Sequence, residues 1–133
     1  MKAMREFLLF AIAGLCGFVV DTAVLYALTE ALGPFYARGV SFVAAVLTTW
    51  LINRTFTFRE RKSALSIKRE FVSYLVLMLA GGAVNYAVYS GLVISYPSVQ
   101  KHLIIGVAVG SIAGMLINFL VSRYVLYRFT AGQ

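Results

Sequence analysis

Two arginines in this sequence follow an aromatic residue at a spacing that suits the binding of a phosphorylated sugar. Arg54 comes four positions after Trp50, and Arg123 comes four positions after Phe119. Residues four apart share a helix face, so each arginine would lie beside an aromatic ring. A guanidinium group binds phosphate oxygens through two parallel hydrogen bonds. We therefore predict Arg54 and Arg123 as phosphate ligands, and Trp50 as a ring that stacks on the sugar.

Other polar side chains interrupt runs that are otherwise apolar. Asp21 shares one helix face with Gly14 and Gly17, and Asn85 follows Gly81 at the same spacing that separates Gly17 from Asp21. A carboxylate or amide within an apolar run must face protein, water or a bound partner. Asp21 and Asn85 are therefore predicted to line a polar path for the sugar.

The elements that must position these residues are four apolar segments. They cover residues 7–29, 36–57, 71–94 and 102–127. Each exceeds the ~20 residues that a helix needs to cross the hydrocarbon core of a bilayer. The chain is 61% hydrophobic, with a mean hydropathy of +0.86. These values are typical of a membrane protein, and the continuous apolar runs favour helices over strands.

The cations indicate the orientation in the membrane. The net charge is +7, but the basic residues cluster at the ends of the apolar segments and form no continuous face, which argues against nucleic acid as a partner. The two outer turns carry only Arg38 and Lys101. The termini and the central connection carry most of the others: Lys2, Arg5, Arg59, Arg61, Lys62, Lys68, Arg69, Arg123 and Arg128. This bias predicts a multi-pass protein of the cytoplasmic membrane with both termini in the cytoplasm.

An arginine about one turn inside the membrane edge can also extend to lipid headgroups and do nothing else. This alternative for Arg54 is weakened by its counterpart, Arg123, in the second half. No nucleophile, base and orienting group occur together, and Cys16 and His102 have no metal-ligand spacing around them. We therefore expect no catalytic residue, no metal and no cofactor, and a protein that is not an enzyme.

The two halves of the chain repeat each other. The tripeptide REF at 5–7 recurs at 69–71, and TWLINRTFTFR at 49–59 aligns with NFLVSRYVLYR at 118–128. Each half holds two segments, so both halves start on the same side of the membrane. Repeats of this kind are common in transporters, whose sites lie between them, although a duplication can also serve only to build a stable bundle.

The predicted fold is therefore an all-α membrane protein with four transmembrane helices. These helices form two parallel-oriented two-helix repeats within one membrane domain, 1–133, with repeat 1 at about 1–60 and repeat 2 at about 68–130. Gly33-Pro34 and Tyr96-Pro97 are expected to end helices at the outer turns. Gly106, Gly110 and Gly114 are expected to pack closely against another helix.

Three segments carry a resemblance to a known family. They are the opening REF with Gly14, Gly17 and Asp21 behind it, the ending NRTFTF at 53–58, and the ending NFLVSRYVLYRF at 118–129. Over nearly its whole length the chain resembles the GtrA family of four-helix membrane proteins, linked to polyprenyl-phosphate sugars. It is also similar to the membrane part of some dolichol-phosphate-mannose synthases. The resemblance adds Asn53 and Asn118 to the candidate headgroup ligands.

The resemblance implies that the protein moves an undecaprenyl-phosphate-linked sugar across the membrane for cell-surface polysaccharide synthesis or glycosylation. Homo-oligomers, dimers above all, are expected because four helices are few for an enclosed path. The first alternative is a non-transporting subunit that anchors a glycosyltransferase partner through the basic segment 60–70. The second is a small proton-coupled exporter of cationic compounds that uses Asp21 as its membrane carboxylate. The paired arginines argue against a cationic cargo.

Overall fold

The computed structural model describes residues 1–61 and 63–127, which are helical almost throughout and contain no strand. This confirms the all-α prediction. The last residues of the predicted second repeat, 128–130, lie outside the described part of the chain. The elements are α1 (Lys2–Ile52), a π turn (Asn53–Thr57), α2 (Ile67–Ser95), α3 (Pro97–Lys101), α4 (Leu103–Val121) and a second π turn (Ser122–Leu126).

A break at Gly33 divides α1 into two antiparallel arms. Gly33 has φ 77° and ψ 164°, a backbone conformation that side chains disfavour and glycine tolerates. The next residue, Pro34, has no N–H to continue the helical hydrogen bonds. The first arm (Lys2–Gly33) and the second arm (Tyr36–Thr57) therefore form the first hairpin, and the predicted turn is confirmed.

The second hairpin consists of α2, α3 and α4. Ser66 caps the start of α2, where its hydroxyl accepts a hydrogen bond from the N–H of Arg69. Tyr96 ends the same helix in an extended conformation, with φ −125° and ψ 114°. A residue before proline is pushed out of the helical region, and proline fits the first turn of a helix, so α3 starts at Pro97. The predicted helix end at Tyr96-Pro97 is confirmed.

Within the described ranges 1–61 and 63–127, four helical stretches are long and apolar enough to cross a membrane: Lys2–Gly33, Tyr36–Thr57, Ile67–Ser95 and Ala108–Leu126. Large apolar side chains such as Leu15, Phe18 and Tyr86 are exposed on their surfaces. Lipid accepts such surfaces, and a helix satisfies its own backbone hydrogen bonds there. The prediction of a four-helix, multi-pass membrane protein is confirmed.

The two hairpins meet in an aromatic core at one end of the bundle. We call this end the base; it holds Lys2, the 58–66 connection and Tyr127. The opposite end, with the turns at Gly33 and Tyr96, is the top. The buried core residues are Phe10, Val46, Trp50, Phe58, Tyr74, Met78, Phe119, Leu126 and Tyr127. They are close in sequence to the base ends of their helices, so packing between the hairpins is concentrated there.

Within each hairpin the helices approach closely at glycine. A Cβ at Gly17 would overlap Thr49, and a Cβ at Gly81 would overlap Asn118. Gly17 and Gly81 are equivalent positions of the sequence repeat, as are Thr49 and Asn118. Gly114 extends this contact in the second hairpin, since a Cβ there would lie 2.8 Å from the carbonyl oxygen of Gly81. The predicted close packing at the span-four glycines is confirmed.

The N-terminus is tied to the central connection at the base. Lys2 Nζ lies 2.6 Å from Glu60 Oε2. The hydrogen bond and charge of the Lys2 ammonium hold the pKa of the Glu60 carboxyl below its usual range. The base therefore combines the cations that the sequence concentrates there with acidic partners.

We expect the base to face the cytoplasm, because the cations concentrate there. In a Cys16→Ala background, Ala64→Cys places an exposed thiol at the base and Ser98→Cys places one at the top. A membrane-impermeant maleimide added to intact cells should label Ser98→Cys at once and Ala64→Cys only after permeabilisation. The opposite labelling pattern would show that the base faces outward.

Candidate functional site

An open groove of about 530 Å³ lies between the two hairpins and takes side chains from both arms of α1, from α2 and from α4. Four of the predicted site residues line it together: Asp21, Asn53, Asn85 and Asn118. The other polar residues of its lining are Arg38, Thr49, Tyr74 and Ser111. The helical-face spacing of the sequence therefore brings these polar residues into one cavity.

The groove crosses much of the membrane-spanning length. Arg38 and Asn53 both line it and lie on the second arm. At 1.5 Å per residue, the helix between them is about 22 Å long. This is roughly three-quarters of the ~30 Å thickness of a hydrocarbon core. Apolar and small residues, among them Phe18, Phe42 and Gly14, make up the rest of the lining.

At the top of the groove, Asp21 is held by Arg38. Arg38 Nη1 donates to both carboxylate oxygens of Asp21, at 2.6 Å and 2.7 Å. The side chain of Arg38 is 57% exposed and that of Asp21 is 19% exposed. Charge compensation explains how a carboxylate can lie this far into the first arm.

At the base of the groove, a hydrogen-bonded chain joins the two hairpins. Asn53 Nδ2 donates to the Tyr74 hydroxyl at 2.9 Å, and that hydroxyl donates to Thr49 Oγ1 at 3.2 Å. The Thr57 hydroxyl donates to Asn53 Oδ1 at 2.8 Å. Both polar atoms of the buried Asn53 side chain are therefore occupied, which favours a structural role for this predicted headgroup ligand.

Asn118 differs from Asn53 in its hydrogen bonding. Its Oδ1 is buried and accepts no hydrogen bond from the residues that the structure describes. The side chain lies against Gly81 and lines the groove. A buried acceptor without a donor is costly, so a ligand hydroxyl at this position would gain a hydrogen bond that the protein leaves open.

Below the groove, Arg54 pairs with a buried glutamate of the other hairpin. Arg54 Nε donates to Glu70 Oε1 at 3.2 Å and to Oε2 at 3.3 Å. Trp50 Nε1 donates to the same Oε1 at 3.1 Å. The Glu70 side chain is 3% exposed, whereas that of Arg54 is 44% exposed. The aromatic and the arginine predicted to share a face do so, but both are directed to a protein carboxylate.

Arg123 pairs with the equivalent glutamate of the first hairpin. Arg123 Nε donates to Glu6 Oε2 at 2.5 Å, and Arg61 Nε donates to Glu6 Oε1 at 3.0 Å. The Glu6 side chain is 2% exposed, and both arginine side chains are 11% exposed. This cluster is more deeply enclosed than the pair at Glu70.

The two predicted phosphate ligands therefore engage different carboxylates, and neither lines the groove. Trp50 also lies outside the groove lining: it is buried, and its ring packs on Phe71 with centroids 5.2 Å apart. Phe71 and Glu70 therefore contact the face and the N–H of Trp50 within the protein, and the assignment of Trp50 as a sugar-stacking ring stays a prediction.

Sequence reasoning missed the two glutamates, although a signal for them was present. Glu6 and Glu70 are the middle residues of the repeated tripeptide REF. Each one accepts a hydrogen bond from the arginine near the end of the other repeat. A carboxylate at equivalent positions of both repeats, with an arginine also repeated, could have suggested this exchange of partners.

A π turn ends the second span of each hairpin at equivalent positions. The N–H of Phe58 donates to the carbonyl oxygen of Asn53, and that of Tyr127 donates to the carbonyl oxygen of Ser122, both at 2.8 Å. The Phe58 and Tyr127 rings stack with centroids 4.8 Å apart and planes at 17°.

We expect Glu6→Gln to destabilise the protein more than Glu70→Gln. Loss of the Glu6 charge leaves two enclosed arginines uncompensated, at a cost of about 3–5 kcal/mol. Loss of the Glu70 charge leaves Arg54, which can extend to headgroups, so the cost should be about 1.5–3 kcal/mol. Chemical unfolding in detergent measures both values, with the exposed Glu30→Gln as the control. Equal losses for all three variants would contradict the structural role of the pairs.

The comparison with known families agrees with the resemblance noted in the sequence. The family model described as GtrA/DPMS, transmembrane domain, matches residues 9–127. No curated protein matches the chain significantly. The family match covers most of the first span, the other three spans and the groove lining. The chain belongs to the GtrA family, a family of membrane proteins involved in sugar-lipid processes.

Proposed function

We propose that this protein moves a polyprenyl-phosphate-linked sugar between the two leaflets of the cytoplasmic membrane. The observation that carries the proposal is the open groove between the hairpins, with amide, hydroxyl and charged groups along about 22 Å of membrane depth. An apolar membrane protein has little reason to place so many polar groups along one face unless a polar ligand passes there.

The chemistry of the groove suits a sugar. Asn85 and Asn118 offer amides, and Ser111 offers a hydroxyl. Amides and hydroxyls both donate and accept, as sugar hydroxyls do. The unpaired Oδ1 of Asn118 is the position where a sugar hydroxyl would gain most.

The polyprenyl chain would stay in the lipid during transfer. The groove is open along its side, and its rim residues Leu15 and Phe18 are exposed. Only the headgroup therefore needs a polar path, and the long apolar chain avoids the unfavourable transfer from lipid into a polar environment. We also propose a homodimer as the working unit, in which a second protomer narrows the open side.

The arginines at the base have different parts in this proposal. Arg123 is enclosed with Glu6 and supports the structure of the base. Arg54 keeps 44% of its side chain exposed beside Glu70, so it stays a candidate contact for a headgroup phosphate at that end. The proposal requires no covalent step and no cofactor.

A vesicle assay tests this function. The purified protein is reconstituted with a labelled polyprenyl-phosphate sugar, and its transfer between leaflets is compared with protein-free vesicles. Gly14→Phe should reduce the rate at least about tenfold, because Gly14 lines the groove with open space in front of it, and the ring would fill that space.

The matched control for this variant is Gly91→Phe. Gly91 is also an exposed helical glycine with open space around it, but it lies outside the groove lining. It should transfer the lipid at the wild-type rate. Transfer no faster than in protein-free vesicles, by folded wild-type protein, would reject transport and favour the role of an anchoring subunit for a glycosyltransferase.

A further inference from the structure

The charged groups of the groove are confined to one place. Among the described residues that line it, Arg38 is the one cation and Asp21 is the one anion. The remaining polar lining consists of amides, hydroxyls and one phenol. An anionic ligand in this groove would therefore meet a full positive charge only at the top.

Arg38 has binding capacity beyond its contact with Asp21. A guanidinium carries five N–H donors on three nitrogens, and only Nη1 donates to Asp21. The side chain of Arg38 is 57% exposed, whereas that of Asp21 is 19% exposed. Asp21 thus binds one nitrogen of the guanidinium, Nη1, and more than half of the arginine side chain remains accessible.

The other arginines considered as phosphate ligands lie outside the groove lining, and each contacts a buried carboxylate. Arg54 contacts Glu70, and Arg123 contacts Glu6, both below the groove. Displacing either contact would leave a nearly fully buried carboxylate without its cation, which is strongly unfavourable. The contact between Arg38 and Asp21 is easier to loosen, since both partners can reach solvent or a headgroup.

We propose that Arg38 is the anion-binding residue of the groove and that it takes the phosphate ester of the lipid headgroup. Asp21 is its resident counterion: it holds the guanidinium at the groove when no ligand is bound and competes with the phosphate when one arrives. The identity of the ligand as a lipid phosphate rests on the proposed function, whereas the phosphate chemistry follows from the planar guanidinium fork.

Because Asp21 competes with the phosphate for Arg38, removal of the Arg38 charge and removal of the Asp21 charge should have opposite effects on phosphate affinity. Removing Arg38 removes the attraction for phosphate. Removing the charge of Asp21 frees the arginine and also removes the repulsion between carboxylate and phosphate. The proposal therefore expects weaker binding from one variant and equal or tighter binding from the other, a pattern that simple loss of structure does not produce.

An equilibrium binding measurement tests the roles of Arg38 and Asp21. The full-length protein in detergent is titrated with a radiolabelled short-chain polyprenyl phosphate that carries no sugar. Arg38→Gln should weaken binding by about tenfold or more, since it removes charge-assisted hydrogen bonds. Asp21→Asn should bind as tightly as the wild type or more tightly. The double variant Asp21→Asn/Arg38→Gln leaves no unpaired carboxylate, so it should fold and still bind weakly.

Lys101→Gln is the matched control, because it removes one positive charge from an exposed residue at the top, outside the groove lining. It should change the affinity by less than about twofold, as expected for a screened surface charge. Inorganic phosphate at millimolar concentration separates the two sources of the anion. If an unlabelled lipid phosphate displaces the radiolabelled lipid at a much lower concentration than inorganic phosphate does, the ligand is a lipid headgroup. Equal competition by the two would overturn the assignment to a lipid headgroup.

Binding by Arg38→Gln at wild-type affinity, or an equal loss from Lys101→Gln, would overturn the assignment of Arg38. Tighter binding by the wild type than by Asp21→Asn would overturn the competing role of Asp21. These outcomes are independent of the vesicle assay. A wild type that binds the lipid phosphate through Arg38 but does not speed its transfer would leave this site standing and reject the proposed transport.

Discussion

A carboxylate buried in an apolar interior is tolerated only beside a cation, and this constraint organises the base of the bundle. Glu70 of the second repeat takes Arg54 of the first, and Glu6 of the first takes Arg123 of the second. Each repeat therefore supplies an arginine that compensates the glutamate of the other. The aromatic core, with Phe58 stacked on its equivalent from the second hairpin, fills the space between these two exchanged pairs. Separating the hairpins would remove Arg54 from Glu70 and Arg123 from Glu6 at once.

Fixing the hairpins at one end explains why a groove exists between them. Among the described residues, the hydrogen bonds between the hairpins lie at the base, and those that the Tyr74 hydroxyl makes with Asn53 and Thr49 reach furthest towards the top. Towards the top, the ion pair that the structure describes, between Asp21 and Arg38, lies within one hairpin. Each hairpin is thus held internally by close helix packing, and the space between them remains open to a ligand. The proposed transport uses this open region and leaves the base intact.

Much of this architecture could be predicted from sequence because lipid leaves few choices. A continuous apolar run must be a helix, and Gly33 marks a turn that no other residue type adopts as easily. Asp21 and Asn85 could be predicted to face a common region, and both line the groove, because their helix faces follow from spacing. Partners across helices could not be predicted in the same way, since spacing along one helix does not fix its neighbour. The four-residue spacing correctly placed Arg54 on the same helix face as Trp50. It gave no information about Glu70, which lies on another helix. The π turns likewise have no sequence signature that we could use.

The account depends most on the exchanged glutamate–arginine pairs, and cleavage of the chain between the hairpins tests them directly. A protease site placed between Ser63 and Ala64 allows the purified protein to be cut in detergent. The two hairpins of the wild type should then co-elute, because the pairs and the core join them without the connection. The hairpins of Glu6→Gln/Glu70→Gln should separate after the same cut. Hairpins that stay together equally well in both proteins would contradict the claim that the exchanged pairs hold the bundle together.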